Sequence, residues 1–224
     1  MSRIDLYGFL GVGLGLLIGM IGHELAHARV AVSLGDPTPR MMGRLTLNPK
    51  AHADPLGTVI LPGIFLATVL FRASFGGFLF GYAKPVTIHP GRLRNPKRDA
   101  VLVALAGPAF NLLIVVLVGV AFRTAAPAKV NADLIRQEGL YWILAWIAIV
   151  NTFLFIINIL PIPPLDGSKV LARFLSPTAA MKMEEWGQYL LLFLIVLFIL
   201  FKGVLGNAAA AIYEPILNLR HVSF

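Results

Sequence analysis

Cysteine is absent from all 224 residues, and charged side chains make up only 13% of the chain, against about 25% in an ordinary soluble domain. The first absence excludes disulfides, zinc ribbons and thiol nucleophiles. The second, set beside 58% hydrophobic residues, excludes an ordinary soluble protein. Acidic groups are scarcer than basic ones, 11 against 19, which gives a net charge of +8. In a chain this apolar, a Lys/Arg excess reports loop orientation and contact with anionic headgroups, and no nucleic-acid partner is expected. Internal repeats and low-complexity linkers are also missing, so the chain reads as one membrane-embedded domain over 1–224.

Long apolar runs do occur, at about 6–33, 56–71, 100–122, 139–160 and 187–201. A spanning helix needs roughly 20 apolar residues, so the expected fold is an all-α polytopic membrane protein with about five transmembrane helices. The first run lacks a basic leading region and continues into polar residues, so it is expected to stay in the mature protein. Tyr141, Trp142 and Trp146, and also Trp186 and Tyr189, are expected at the headgroup zone that amphipathic rings favour. Gly11, Gly15 and Gly19, at steps of four, predict a smooth stripe for close helix packing.

The most specific local pattern is His23-Glu24-Leu25-Ala26-His27. With five His and five Glu in the chain, an H-E-x-x-H match arises by accident about 0.002 times. On a helix, positions i and i+4 share a face, so both imidazoles can reach one zinc ion while Glu24 stands beside its open position. Two core histidines with a stray carboxylate would each cost about 2.5 to 3.5 kcal/mol at membrane depth unless compensated.

A catalytic zinc needs a third protein ligand, and without Cys the choice lies among His52, His89, His221 and a carboxylate. Asp166 is the leading candidate. Pro161, Pro163 and Pro164 end the fourth run, and Gly167 is expected to permit a tight turn that aims the carboxylate inward. The alternatives are that Asp166 caps a helix beginning near Ser168, or that Glu184 or Glu185 supplies the ligand.

The two half-sites can meet only if an even number of crossings separates the first run from the third. The 27 residues from 56 to 82 are too few for two helical crossings at about 20 residues each. A re-entrant unit is therefore expected, with a helix from Leu56 to Phe71, started by Asp54 and Pro55, and an extended return through Gly76 to Val86. The loops at 35–55, 84–98 and 161–186 then share one face, which carries 11 basic residues against 6 on the other. The positive-inside rule makes that face cytoplasmic.

These residues carry a resemblance. The chain resembles the site-2 protease family of intramembrane zinc metalloproteases, which pairs H-E-x-x-H on one span with L-D-G on another, here Leu165-Asp166-Gly167. Gly107-Pro108-Ala109-Phe110-Asn111 is similar to the family's G-P-x-x-N element. Asn48 to Pro55 and Gly81 to Pro85 resemble a compact bacterial branch without a PDZ domain. The catalytic core would occupy about 7–175 and C-terminal helices about 187–218.

The resemblance implies one Zn2+ per chain on His23, His27 and Asp166, with Glu24 as base. It implies a peptide bond cut within or near the membrane span of a substrate protein, in the inner (cytoplasmic) membrane, with the site toward the cytoplasm. Asn111 is the candidate oxyanion donor; its alternative use is an interhelical hydrogen bond. Asn151 and Asn158 are expected to pack or to support other groups. Two readings from other classes stay open: a metal-binding membrane transporter and a catalytically inactive scaffold.

Overall fold

The computed structural model describes residues 3–52, 86–125, 139–187, 189 and 202–217. The expected helix at 56–71, the Asp54-Pro55 start, the return stretch before Val86, most of the fifth apolar run and His221 lie outside those residues. Within them every regular element is helical: α1 (Arg3–Ser33), α2 (Thr38–Met41), α3 (Pro49–His52), α4 (Pro96–Ala125), α5 (Gly139–Ile159), α6 (Asp166–Ala172), α7 (Pro177–Glu185) and α8 (Lys202–Leu217), with a short 3-10 turn at Pro90–Arg92. The all-helical fold agrees with the reading from composition. Among the described residues three helices are long and apolar enough to cross a membrane, within α1, α4 and α5.

The three long helices pack on one another through small and polar positions. A Cβ added at Gly11 would meet Trp146 and Ile143, one at Gly15 would meet Val150 and Ile147, and one at Gly19 would meet Leu154 and Asn151. The glycine stripe is thus the seam on which α5 lies, parallel to α1. Antiparallel to both, α4 brings Val103 to His27 and Asn111 to Gly19. Facing outward are Leu14, Leu17 and Ile18 of α1 and Leu113, Leu117 and Val120 of α4, all exposed. An apolar outer belt around a polar seam suits lipid as the surrounding solvent.

The aromatic residues expected at the headgroup zone divide by exposure. Trp142 is buried, and Trp142 and Trp146 pack against Gly8 in the α1–α5 seam, because a glycine leaves a ring-sized gap that burial of apolar area fills. Trp186 and Tyr189 are exposed, as rings placed at an interface would be. At the same end as Trp142, α8 adds Ala209, Tyr213 and Leu217 to a core with Val115, Val118 and Phe122.

The other end carries the polar chemistry. Helix α1 closes with a C-terminal motif in which Asp36 N–H donates to Ala31 O and Gly35 N–H to Val32 O, with Gly35 at φ +113°. Only glycine adopts that conformation without strain. Arg94 N–H then donates to Leu34 O at 3.0 Å, and Asp99 accepts from Asn95 N–H at the start of α4. The residues that flank 53–85 therefore lie at one end of the bundle. The start of α6, past the end of α5, is at that same end.

Candidate metal centre

Two side chains of α1 and one of α6 converge beside α4. His23 Nε2 lies 3.0 Å from Asp166 Oδ2, His27 Nε2 lies 3.1 Å from the same oxygen, and the two Nε2 atoms are 3.0 Å apart. All three residues are buried. Glu184 and Glu185 are exposed on α7 and take no part. His52 is buried, with Nε2 donating to Thr46 O, and His89 is exposed; neither joins the cluster.

The other ring nitrogens decide what the cluster can hold. Asn111 donates through Nδ2 to Gly19 O at 3.2 Å and to Asn151 Oδ1 at 3.0 Å, so its Oδ1 faces His23 Nδ1 at 2.7 Å. Gly19 O can only accept, which fixes the amide orientation and makes His23 Nδ1 the protonated nitrogen. His27 Nδ1 likewise donates to Val103 O at 2.6 Å. With Nδ1 as the donor, each ring in its neutral form turns an unprotonated Nε2 toward a carboxylate oxygen. Three acceptors this close would in that form call for a cation.

The donor set fits zinc. Two imidazole nitrogens and one carboxylate oxygen at about 2.0 to 2.1 Å from a tetrahedral centre stand roughly 3.3 Å from one another, close to the separations found here. Both histidines donate their remote N–H to an oxygen, as ligating histidines do.

Local sequence explains each placement. Gly107 and Pro108 sit inside α4; the proline cannot donate to the carbonyl four residues back, which interrupts the helical ladder at the turn facing the histidines. A Cβ at Gly107 would strike Nε2 of both histidines, so glycine there lets α4 close over them. Asp166 is the first residue of α6, with Leu165 at the N-cap position and no side-chain cap bond. It is therefore not a cap for a helix starting at Ser168; its carboxylate turns to the histidines and, through Oδ1, to Lys169 Nζ at 2.8 Å. The expected role of Gly167 changes too. It is helical, and a Cβ there would run into the carbonyls of Ile159 and Leu160, so close packing of α6 on the end of α5 requires it.

Asn111 also departs from the sequence reading. Both of its amide hydrogens are committed to Gly19 O and Asn151 Oδ1, which leaves no N–H for an oxyanion. Asn151 extends the chain of bonds, donating to Gly15 O and Ile147 O. Asn158 bonds Leu154 O on its own helix. Asn151 supports Asn111, as a group expected to pack or support would. Lys169 as the partner of Asp166 and Val103 as the partner of His27 are supporting groups that the sequence reading missed; the i, i+3 offset from Asp166 is the one signal that could have found Lys169.

Glu24 is half-buried beside His23, and Val86 N–H donates to its Oε2 at 2.9 Å. Outside the spans, Asp36 is buried and accepts from Thr38 N–H, Thr38 Oγ1–H and His89 N–H. Burial alone would raise its carboxyl, but those hydrogen bonds hold it below the ordinary carboxylate value.

Comparison with known proteins gives a consistent family. The profile of Peptidase family M50 matches residues 123–202, the part that carries Asp166. The chain is 33% identical over 192 residues to YwhC of Bacillus subtilis, which bears the name of a zinc metalloprotease, with 82% of this chain and 78% of that protein covered. It is 32% identical over 192 residues to Rip2 of Mycobacterium tuberculosis, covering 85% of this chain and 67% of the relative. For Rip2 of Mycolicibacterium smegmatis the identity is 31% over 205 residues, with 89% and 70% covered. Both Rip2 proteins also carry the zinc metalloprotease name. No solved structure matches the chain. A zinc-fitting donor set inside an apolar helical bundle, together with relatives of this similarity over most of both chains, means that the chain belongs to Peptidase family M50, the site-2 protease family, and is a membrane zinc metallopeptidase.

Proposed function

We propose that this protein is an intramembrane endopeptidase that hydrolyses a peptide bond within or near the membrane span of a substrate protein. The observation that carries the reading is the buried convergence of His23, His27 and Asp166 beside Glu24 in a lipid-suited bundle. His23 precedes the end of α1 by ten residues, about 15 Å of helix, which favours chemistry below the membrane surface.

One zinc ion per chain would be held by His23, His27 and Asp166. When bound, zinc would supply Lewis-acid polarisation and lower the pKa of water toward neutrality. Glu24 takes the proton from the attacking water and returns it to the leaving amide nitrogen. Its Oε2 rests on Val86 N–H, and Oε1 has no partner among the described residues. Asn111 acts by holding His23 in one tautomer, a positioning role in place of oxyanion binding. Residues 1–224 form one domain in the inner (cytoplasmic) membrane, multi-pass with about five spans, and the basic end faces the cytoplasm. The contact between the residues flanking 53–85 supports an even number of crossings there.

The test is Glu24→Gln in vesicles with a single-span model peptide carrying helix-weakening glycines. It should retain zinc and lose turnover. Zinc bound by the wild type without any hydrolysis would favour a transporter or an inactive scaffold.

A further inference from the structure

Glu24 is a long side chain on a helix face, and its own helix offers nothing to fix the carboxylate. Among the described residues its one hydrogen-bond donor is Val86 N–H, 62 positions away in sequence. A glutamate loses up to about 2 kcal/mol of rotamer freedom when fixed, so an unpinned base would spend much of its time elsewhere.

The donor belongs to a strap, residues 86–94, whose position does not depend on Glu24. His89 N–H donates to Asp36 Oδ2 at 2.7 Å, Arg92 Nη1 donates to Thr38 Oγ1 at 2.9 Å, and Arg94 N–H donates to Leu34 O at 3.0 Å. Leu93 is buried with Ala31 and Val103, and Ile88 packs against that cluster. Asp36 is the hub: one oxygen takes the strap and the other takes Thr38 N–H and Oγ1–H. From Val86 to His89 the strap is non-helical, and three extended residues span about 10 Å. That length carries it along the last turns of α1 from the carboxylate to the hub.

We infer that Val86, through its backbone N–H, and Asp36, as the latch of the strap that carries it, are positioning residues that hold Glu24 for proton transfer. The inference rests on Glu24 being the base. Neither residue touches the reacting atoms. A displacement of about 1 Å at a reacting group can cost on the order of 100-fold, so losing the pin should lower kcat while substrate and zinc still bind.

The experiment measures kcat, KM and zinc content of vesicle-reconstituted enzyme on the single-span model peptide. Val86→Pro removes the N–H and should lower kcat by about 10- to 100-fold with KM changed by less than about twofold. Thr87→Pro places the same ring at an exposed neighbour, keeps the Val86 N–H, and should stay within about threefold of wild type. Asp36→Asn removes one of the two acceptor oxygens and should lower kcat in the same direction, with full zinc. Wild-type kcat in Val86→Pro, or an equal loss in Thr87→Pro, would overturn the inference. Should Val86→Pro fail to fold or to hold zinc, Asp36→Asn decides alone, and an unchanged kcat there overturns it. Failure of the underlying reading is separate, since it would appear as turnover in Glu24→Gln.

Discussion

Asn111 Oδ1 accepts a hydrogen bond from His23 Nδ1 at 2.7 Å, and that bond determines which ring nitrogen faces Asp166. Asn111→Leu keeps roughly the same volume and removes the acceptor. It should weaken zinc binding by about 10- to 100-fold, as loss of a histidine's outer partner does. Asn111→Asp keeps the acceptor and should recover part of that loss. Chelator competition on the purified proteins measures both, and equal affinities in wild type and Asn111→Leu would remove Asn111 from the centre.

Gly107 leaves room for no further atom, because a Cβ there would strike the Nε2 atoms of both histidines. Gly107→Ala should lower zinc affinity by at least about tenfold. Elemental analysis at limiting zinc checks it; occupancy equal to wild type would mean that α4 stands farther from the histidines.

Asp36 sets a pH dependence of stability. Its carboxyl is depressed in the fold because hydrogen bonds from Thr38 and His89 outweigh burial. Such a group adds stability that is complete above the unfolded value of about pH 4 and is lost as pH falls through its lower folded value. Asp36→Asn should therefore be less stable than wild type at neutral pH, and the gap should narrow below about pH 4. Thermal unfolding in detergent across that range gives the comparison. A gap that stays constant with pH would mean the carboxylate charge is not what the fold uses.

Ser33 and Asn95 are exposed residues at the same end of the bundle, and the chain has no native cysteine. Single cysteines at the two positions should label from the same side of sealed vesicles, the cytoplasmic one. Labelling from opposite sides would rule out an even number of crossings between α1 and α4.

What the sequence discloses here follows the range of each interaction. The histidine pair and Glu24 are legible because helical periodicity alone puts i and i+4 on one face. Asp166 is legible as the leading candidate because ionisable groups are rare in so apolar a chain and prolines break the helix before it, and the fold then sets Glu184 and Glu185 aside as exposed. Asn111 is visible as a polar residue on an apolar helix, but its role depends on Gly19 and Asn151 across two helix contacts, and no spacing rule encodes those. Trp142 is legible as a ring near the end of a span, but that it packs against Gly8 is visible only in the fold. Gly167 reads as a turn residue, whereas packing on the Ile159 and Leu160 carbonyls is what demands it. Asp36 and His89 are 53 positions apart, and a loop acid with a loop histidine carries no periodic signal. The one local signal that could have found it is Gly35, since glycine just past a helix marks the closing motif that delivers Asp36.

The most direct measurement is mass-spectrometric mapping of the products that reconstituted enzyme makes from a single-span peptide. A cut inside the span or at its edge is expected, present with zinc-loaded wild type and absent from Glu24→Gln and Asp166→Ala. A peptide left intact by wild type holding one zinc per chain, or cut only in its extramembrane tails, would contradict intramembrane proteolysis by this centre.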